Sequence, residues 1–173
     1  MTDQRGSSDI ERREFIGALA KHRGLLVRTV RGISEEQARL RPTVSALCLG
    51  GLIKHVTTME EGWAKFVKEG TSAMGGATAT TIARFSASFE ITDDETMAVL
   101  LERYREQARA TDELVMTLPS LEVLHPLPDA PWFEQGASWS ARRVLVHIVA
   151  ETAQHAGHAD IIRETIDGAK SMG

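Results

Sequence analysis

Cysteine is almost absent from this chain. Cys48 stands alone, so no disulfide can form within the molecule and its stability has to come from packing. Flanked by Leu47 and Leu49, it reads as a small buried hydrophobe. Long apolar runs are missing too: none approaches the roughly 18 residues of a membrane span. The N-terminal MTDQRGSSDIERRE is polar and lacks the apolar core of a signal peptide. Nor is there an excess of basic charge. The 20 Lys and Arg are scattered among 24 acids, for a net charge of -4, which leaves no face built for nucleic acid. Neither a glycine-rich phosphate loop nor the protease pattern H-E-x-x-H occurs. The expectation is a cytoplasmic protein whose partner is a small molecule, without nucleic acid or membrane.

What is present is helical. The 173 residues, 42% hydrophobic and 25% charged, suit one domain with a substantial core. The pattern places that domain over residues 9–168, with flexible ends at 1–8 and 169–173. Four amphipathic stretches stand out. Phe15, Leu19, Leu26 and Val30 form one stripe between Asp9 and Arg31, with His22 at its edge. Ser34-Glu35-Glu36-Gln37 is a capping box that starts a turn or two. Leu52, Val56, Met59, Trp63 and Phe66 share a face between Ser45 and Lys68, after a Gly50-Gly51 pair that permits close backbone approach. Thr92-Asp93-Asp94-Glu95 is a second capping box, opening a helix that carries Met97, Leu101, Tyr104, Ala108 and Val115 and stops before Pro119. The last helix starts around Ser138 to Ser140 and ends at Gly168, a C-cap residue. Between them, Gly70 to Thr81 reads as a loop of small residues and Ser120 to Ala137 as an irregular crossover with three prolines. Two long connections and four helices predict an all-α, antiparallel four-helix bundle.

The last helix carries the chemistry. Its apolar residues Val144, Ile148, Ala159, Ile162 and Ile166 fall in a sector about 60° wide at 100° per residue. Glu151 and His155 lie on or beside that sector, one turn apart. A carboxylate facing a core is costly unless paired, and residues at i, i+4 can converge on one point. A metal ion justifies both; an arginine, Arg28 or Arg109, is the competing partner for Glu151. His55, on the flank of the second helix's apolar face, is the third ligand candidate. Two histidines and one carboxylate suit Zn²⁺ with an open position, or Fe²⁺ or Ni²⁺. His158 and His147 fall on the Glu151 side, further out. His158 is a replacement ligand, an outer partner or a general base; His147 lies nearer solvent. His125, in the proline-rich loop, reads as exposed.

The segments LRPTVSALCLGGLIKHVTTMEEGW and GASWSARRVLVHIVAETAQHAGHADIIRETIDG make nearly the whole chain resemble the DinB-like superfamily. The likeness is to actinobacterial members of unknown function and to the mycothiol-dependent enzymes, maleylpyruvate isomerase among them. Many relatives pair a histidine of the second helix with H-x-x-x-H on the last. Here Glu151 holds the first position of that pair, as in the isomerase. His158 falls where many relatives carry glutamine, which weakens it as a ligand and leaves it, with His22, to shuttle a proton. The resemblance implies a DinB-like bundle, often a homodimer, with a divalent metal (zinc first, nickel or iron as alternatives) on His55, Glu151 and His155. It implies a thiol transferase or isomerase that joins a low-molecular-weight thiol such as mycothiol to a small electrophile. A metal-dependent hydrolase and a non-catalytic metal- or small-molecule-binding stress protein are the alternatives.

Overall fold

In a computed structural model that describes residues 4–172, the four stripes form the helices α1 (Gln4–Thr29), α3 (Leu49–Glu69), α5 (Met97–Thr117) and α6 (Ala141–Asp167). A short α2 (Glu35–Arg39) follows α1 and is closed by the expected box. Ser34 Oγ accepts from Gln37 N at 3.1 Å, and the Gln37 side chain accepts from Ser34 N at 2.9 Å. Serine also opens α6, where Ser140 Oγ accepts from Arg143 N, and Gly168, at φ 77°, closes it in the left-handed region. α1 begins at Gln4, inside the segment expected to lie outside the bundle. Residues 1–3 and 173 lie outside the described residues.

Two helix starts differ from expectation for local reasons. α3 begins at Leu49 rather than Ser45, because Thr43 Oγ1 and Ser45 Oγ each bond the backbone N–H two residues on and hold the chain in bends. Half of the box at Thr92 forms: Glu95 accepts from Thr92 N at 3.0 Å, but the Thr92 hydroxyl donates to the same carboxylate instead of capping Glu95 N. It closes only a turn, since the same carboxylate takes the Lys54 ammonium at 2.7 Å, and Thr96 caps α5 instead.

The chain runs up, down, down, up. Arg142 pairs with Glu11 near the starts of α6 and α1, and Arg163 donates to the Thr29 and Arg31 carbonyls near their ends, so these two helices run together. Lys54 meets Glu95 near the starts of α3 and α5, which run together the other way. Arg12, early in α1, donates to the Val115 and Leu118 carbonyls at the end of α5. Arg12 and Arg163 therefore supply donors to helix ends whose carbonyls lack partners within the helix. The parallel α3 and α5 cannot be joined by a tight turn. Their connection returns beside α3 through a 3-10 turn (Gly70–Ala73) and a helix α4 (Ala79–Ala87). The second long connection carries a small antiparallel ladder, β1 (Leu124–Pro126) on β2 (Ser138–Ser140), with His125 opposite Trp139. Neither α4 nor the ladder follows from the sequence pattern. No helix among the described residues is long and apolar enough to cross a membrane.

The core is divided. Leu26, Leu52, Val56, Leu100, Ala159 and Ile162 pack at one end, and Leu19, Phe66, Val115, Val144, Leu145 and Ile148 at the other. Between them lies a buried polar layer. Arg23 bonds Glu60, which is fully buried, and Thr111 of α5 and Thr152 of α6 are fully buried polar residues too. Trp63 and Phe66 are buried inside the chain's own core at 6% and 0% exposure. Cys48 is buried as expected. A Cβ on Gly51 would lie 2.0 Å from the Phe89 carbonyl oxygen. The glycine pair thus lets the segment around Phe89 press against α3, beside His55.

Candidate metal centre

α3 and α6 run antiparallel, and their facing surfaces bring His55, Glu151 and His155 together. One ligand-type atom from each lies within 4.8 Å of the others. Glu151 Oε2 stands 3.6 Å from His155 Nε2. His55 is 2% exposed and His155 8%, while Glu151 is half-buried. Among the described residues no arginine pairs with Glu151. Arg28 donates to the Ser171 carbonyl and Arg109 faces Glu102.

For His55 the hydrogen bonds fix which ring nitrogen is free. Ser88 Oγ donates its one proton to the Phe85 carbonyl at 2.6 Å, so toward His55 Nδ1, 2.8 Å away, it can only accept. His55 therefore carries its proton on Nδ1 and presents a bare Nε2. His155 Nδ1 lies 3.4 Å from His158 Nδ1, with its Nε2 turned to Glu151. Metal-binding histidines are held as His55 is, one nitrogen anchored and the other free. Phe89 stacks on His55 at 3.7 Å between centroids, and Phe85 meets it edge-on at 5.3 Å.

Electrostatics keep His55 and Glu151 in ligating form. Burial, then the charge of His155, pushes the His55 imidazole down to about 4, against an opposing pull from Glu151. The contact with His155 holds the Glu151 carboxyl below its usual range, with the charges of His147, His155 and His55 outweighing burial. A neutral imidazole and an ionised carboxylate are what a cation requires. In the metal-free protein the unfolded state binds a proton at His55 over a pH range where the native state does not, so stability falls as pH drops below the unfolded value toward about 4. From about pH 7 to about pH 5 the expected loss is about 2 kcal/mol, read from urea midpoints of chelated protein.

The triad opens on a cavity of about 650 Å³ between α3, α4, α6 and the second connection. Trp63, Phe85, Trp132, Phe133 and Trp139 give it aromatic walls, and Met74 to Ala77 enter from the small-residue segment. Both long connections thus shape the cavity. His147 lines it as well, with its Nε2 3.9 Å from Glu151 Oε1 and its ring edge-on to Trp63 at 4.8 Å. It is half-buried rather than solvent-facing, and burial lowers its basicity. His158 touches His155 but is not among the cavity's lining residues, and His22 lies apart on α1. His125 is also half-buried, with Nε2 3.2 Å from the Val67 carbonyl and its ring packed over Gly70. The β ladder explains that difference, because it folds the proline-rich loop back onto the end of α3.

Ser88, Phe85 and Phe89 carry no signal in the sequence, since they belong to a connection without long periodicity. A comparison with curated proteins finds no match. The family model for mycothiol S-transferases matches residues 14–168, which spans α3, α4, α6 and the whole cavity. The chain therefore belongs to the mycothiol S-transferase family, within the DinB-like superfamily.

Proposed function

We propose that this protein is a zinc-dependent thiol S-transferase, with His55, Glu151 and His155 holding the ion and mycothiol as the thiol. The observation that carries the reading is the convergence of two histidines and a carboxylate at the wall of a cavity. Zn–N bonds of about 2.0 Å put neighbouring tetrahedral donors roughly 3.3 Å apart. Glu151 and His155 already approach that spacing at 3.6 Å, and the span of 4.8 Å for the set closes with small side-chain shifts. Three protein donors leave a coordination position open, as catalytic sites do. The ion, when bound, supplies a Lewis acid that favours ionisation of the thiol at neutral pH.

The chain's own residues do the rest. Ser88 and His158 orient the two imidazoles, and the aromatic walls hold the apolar electrophile and exclude water. His147, facing the cavity beside Glu151, receives the thiol proton, and His158 acts through His155. The thiol sulfur bonds to the electrophilic carbon, and a leaving group departs with the bonding pair. A free thiol cosubstrate and an unpaired Cys48 both fit the reducing cytoplasm.

Transfer of mycothiol to a chloronitroarene, followed by absorbance, tests this reading. Turnover that needs zinc and thiol together supports it. Hydrolysis of esters without thiol, or transfer unaffected by chelation, overturns it. Ser88→Ala is expected to weaken zinc binding about 10–100-fold, the usual effect of losing an outer partner, with helix content unchanged. Competition with a zinc-sensitive dye measures it.

A further inference from the structure

Arg143, His147, Glu151 and His155 follow one another at intervals of four along α6, so they form a single row. The first three line the cavity, and His155 completes the ligand triad. The row thus runs from the triad to a guanidinium. Its span from Glu151 to Arg143 is about 12 Å, two steps of four residues at 1.5 Å each.

Arg143 is presented rather than neutralised. Its guanidinium lies over the Trp139 ring at 5.0 Å from the centroid, a contact that uses none of its N–H donors. Among the described residues no carboxylate forms an ion pair with Arg143 or Arg84, the two cationic residues lining the cavity. By contrast Arg23, Arg142 and Arg163 all have acidic partners. Glu151 is the one acid among the lining residues, and in the proposed function it is committed to the ion. Between the two ends the row carries His147, and the facing walls are mostly apolar and aromatic.

We propose that the electrophile is an elongated apolar molecule with an anionic group, a carboxylate or sulfonate, at the end remote from the reacting carbon. Arg143 takes the anion and Arg84 reinforces the field at the rim. The aromatic walls hold the body, so that the reacting carbon points to the triad. This deepens the proposed transferase reading and rests on it. A planar fork of N–H donors matches a carboxylate bidentately, and such charge-assisted bonds are about twice as strong as neutral ones.

The test is equilibrium binding, which needs no turnover. Biphenyl-4-carboxylate and its neutral counterpart biphenyl-4-methanol, two rigid rods of nearly equal shape, are titrated into the zinc-loaded protein by calorimetry. The expected result is binding of the carboxylate at least 10-fold tighter, a preference cut to within about 2-fold by Arg143→Ala. Zinc content is unchanged in that variant. The preference should also survive in chelated protein, which separates the arginine from the ion as its source. Equal binding of the two rods, no saturable binding of either, or a preference that survives Arg143→Ala but vanishes on chelation overturns the proposal. Failure of the transferase reading appears separately, as the absence of zinc- and thiol-dependent transfer.

Discussion

Glu60→Ala is expected to destabilise the protein by about 3–5 kcal/mol, the cost of leaving one charge of a buried pair without its partner. Glu60 is fully buried in α3 and Arg23 is 6% exposed in α1. The guanidinium bonds both carboxylate oxygens, one at 3.3 Å and one closer, and reaches Asp112 on α5 at 2.8 Å. This layer separates two apolar clusters, so the chain cannot fill the gap with a hydrophobe from either side. Asp112 is at the surface and screened by water, with 36% of its side chain exposed, and compensates little. Urea unfolding of wild type and variant gives the difference directly. A loss below about 1 kcal/mol would mean that Arg23 finds water or Asp112 alone sufficient. Glu60→Gln, which keeps the volume and one acceptor, should cost less than Glu60→Ala.

Glu151→Gln is expected to lower zinc-dependent thiol transfer by more than the 10–100-fold typical of an outer partner, on the order of 1000-fold. Glutamine keeps the shape and loses the charge. The carboxylate sits between His147 and His155, and the histidine contacts that hold it ionised are those that would hold it toward a cation. The fold should tolerate the change, because Glu151 is half-buried and lies outside both apolar clusters. Near-normal transfer by Glu151→Gln at saturating zinc would show that Glu151 is not a ligand. Circular dichroism and an unfolding curve on the same sample separate loss of chemistry from loss of fold.

Much of the bundle is legible in the sequence because long helices repeat their signal. Val144, Ile148, Ala159 and Ile162 recur on one face of α6 and are all buried. The same regularity makes Glu151 stand out, a carboxylate beside an apolar stripe. The arrangement of the helices is harder to read. Periodicity gives a face and no direction, so the parallel pairing of α1 with α6 had no local sign. It rests on contacts such as Arg142 with Glu11 and Arg163 with Thr29, more than a hundred residues apart.

The cavity was readable only in part. Trp132, Phe133 and Trp139 stand in the second connection, where no helical period marks the face they share. Ser88 gave no signal, since a serine at the end of a nine-residue helix looks like any surface serine until α4 lies over His55. α4 itself has too few apolar positions to show a period, and none of its nine residues is buried. His158 shows the limit of reading a helical wheel. The wheel places it on the Glu151 side, but only the three-dimensional neighbours show that it backs His155 while His147 faces the cavity.

The central claim is that His55, Glu151 and His155 hold a metal ion, and metal content tests it most directly. Protein prepared without a histidine tag should carry about one zinc per chain by elemental mass spectrometry, the content of a single three-donor site, and His55→Ala prepared alongside should carry almost none. No metal in the wild type, with no uptake when zinc is added, would contradict the account. So would a His55→Ala variant that retains the full complement.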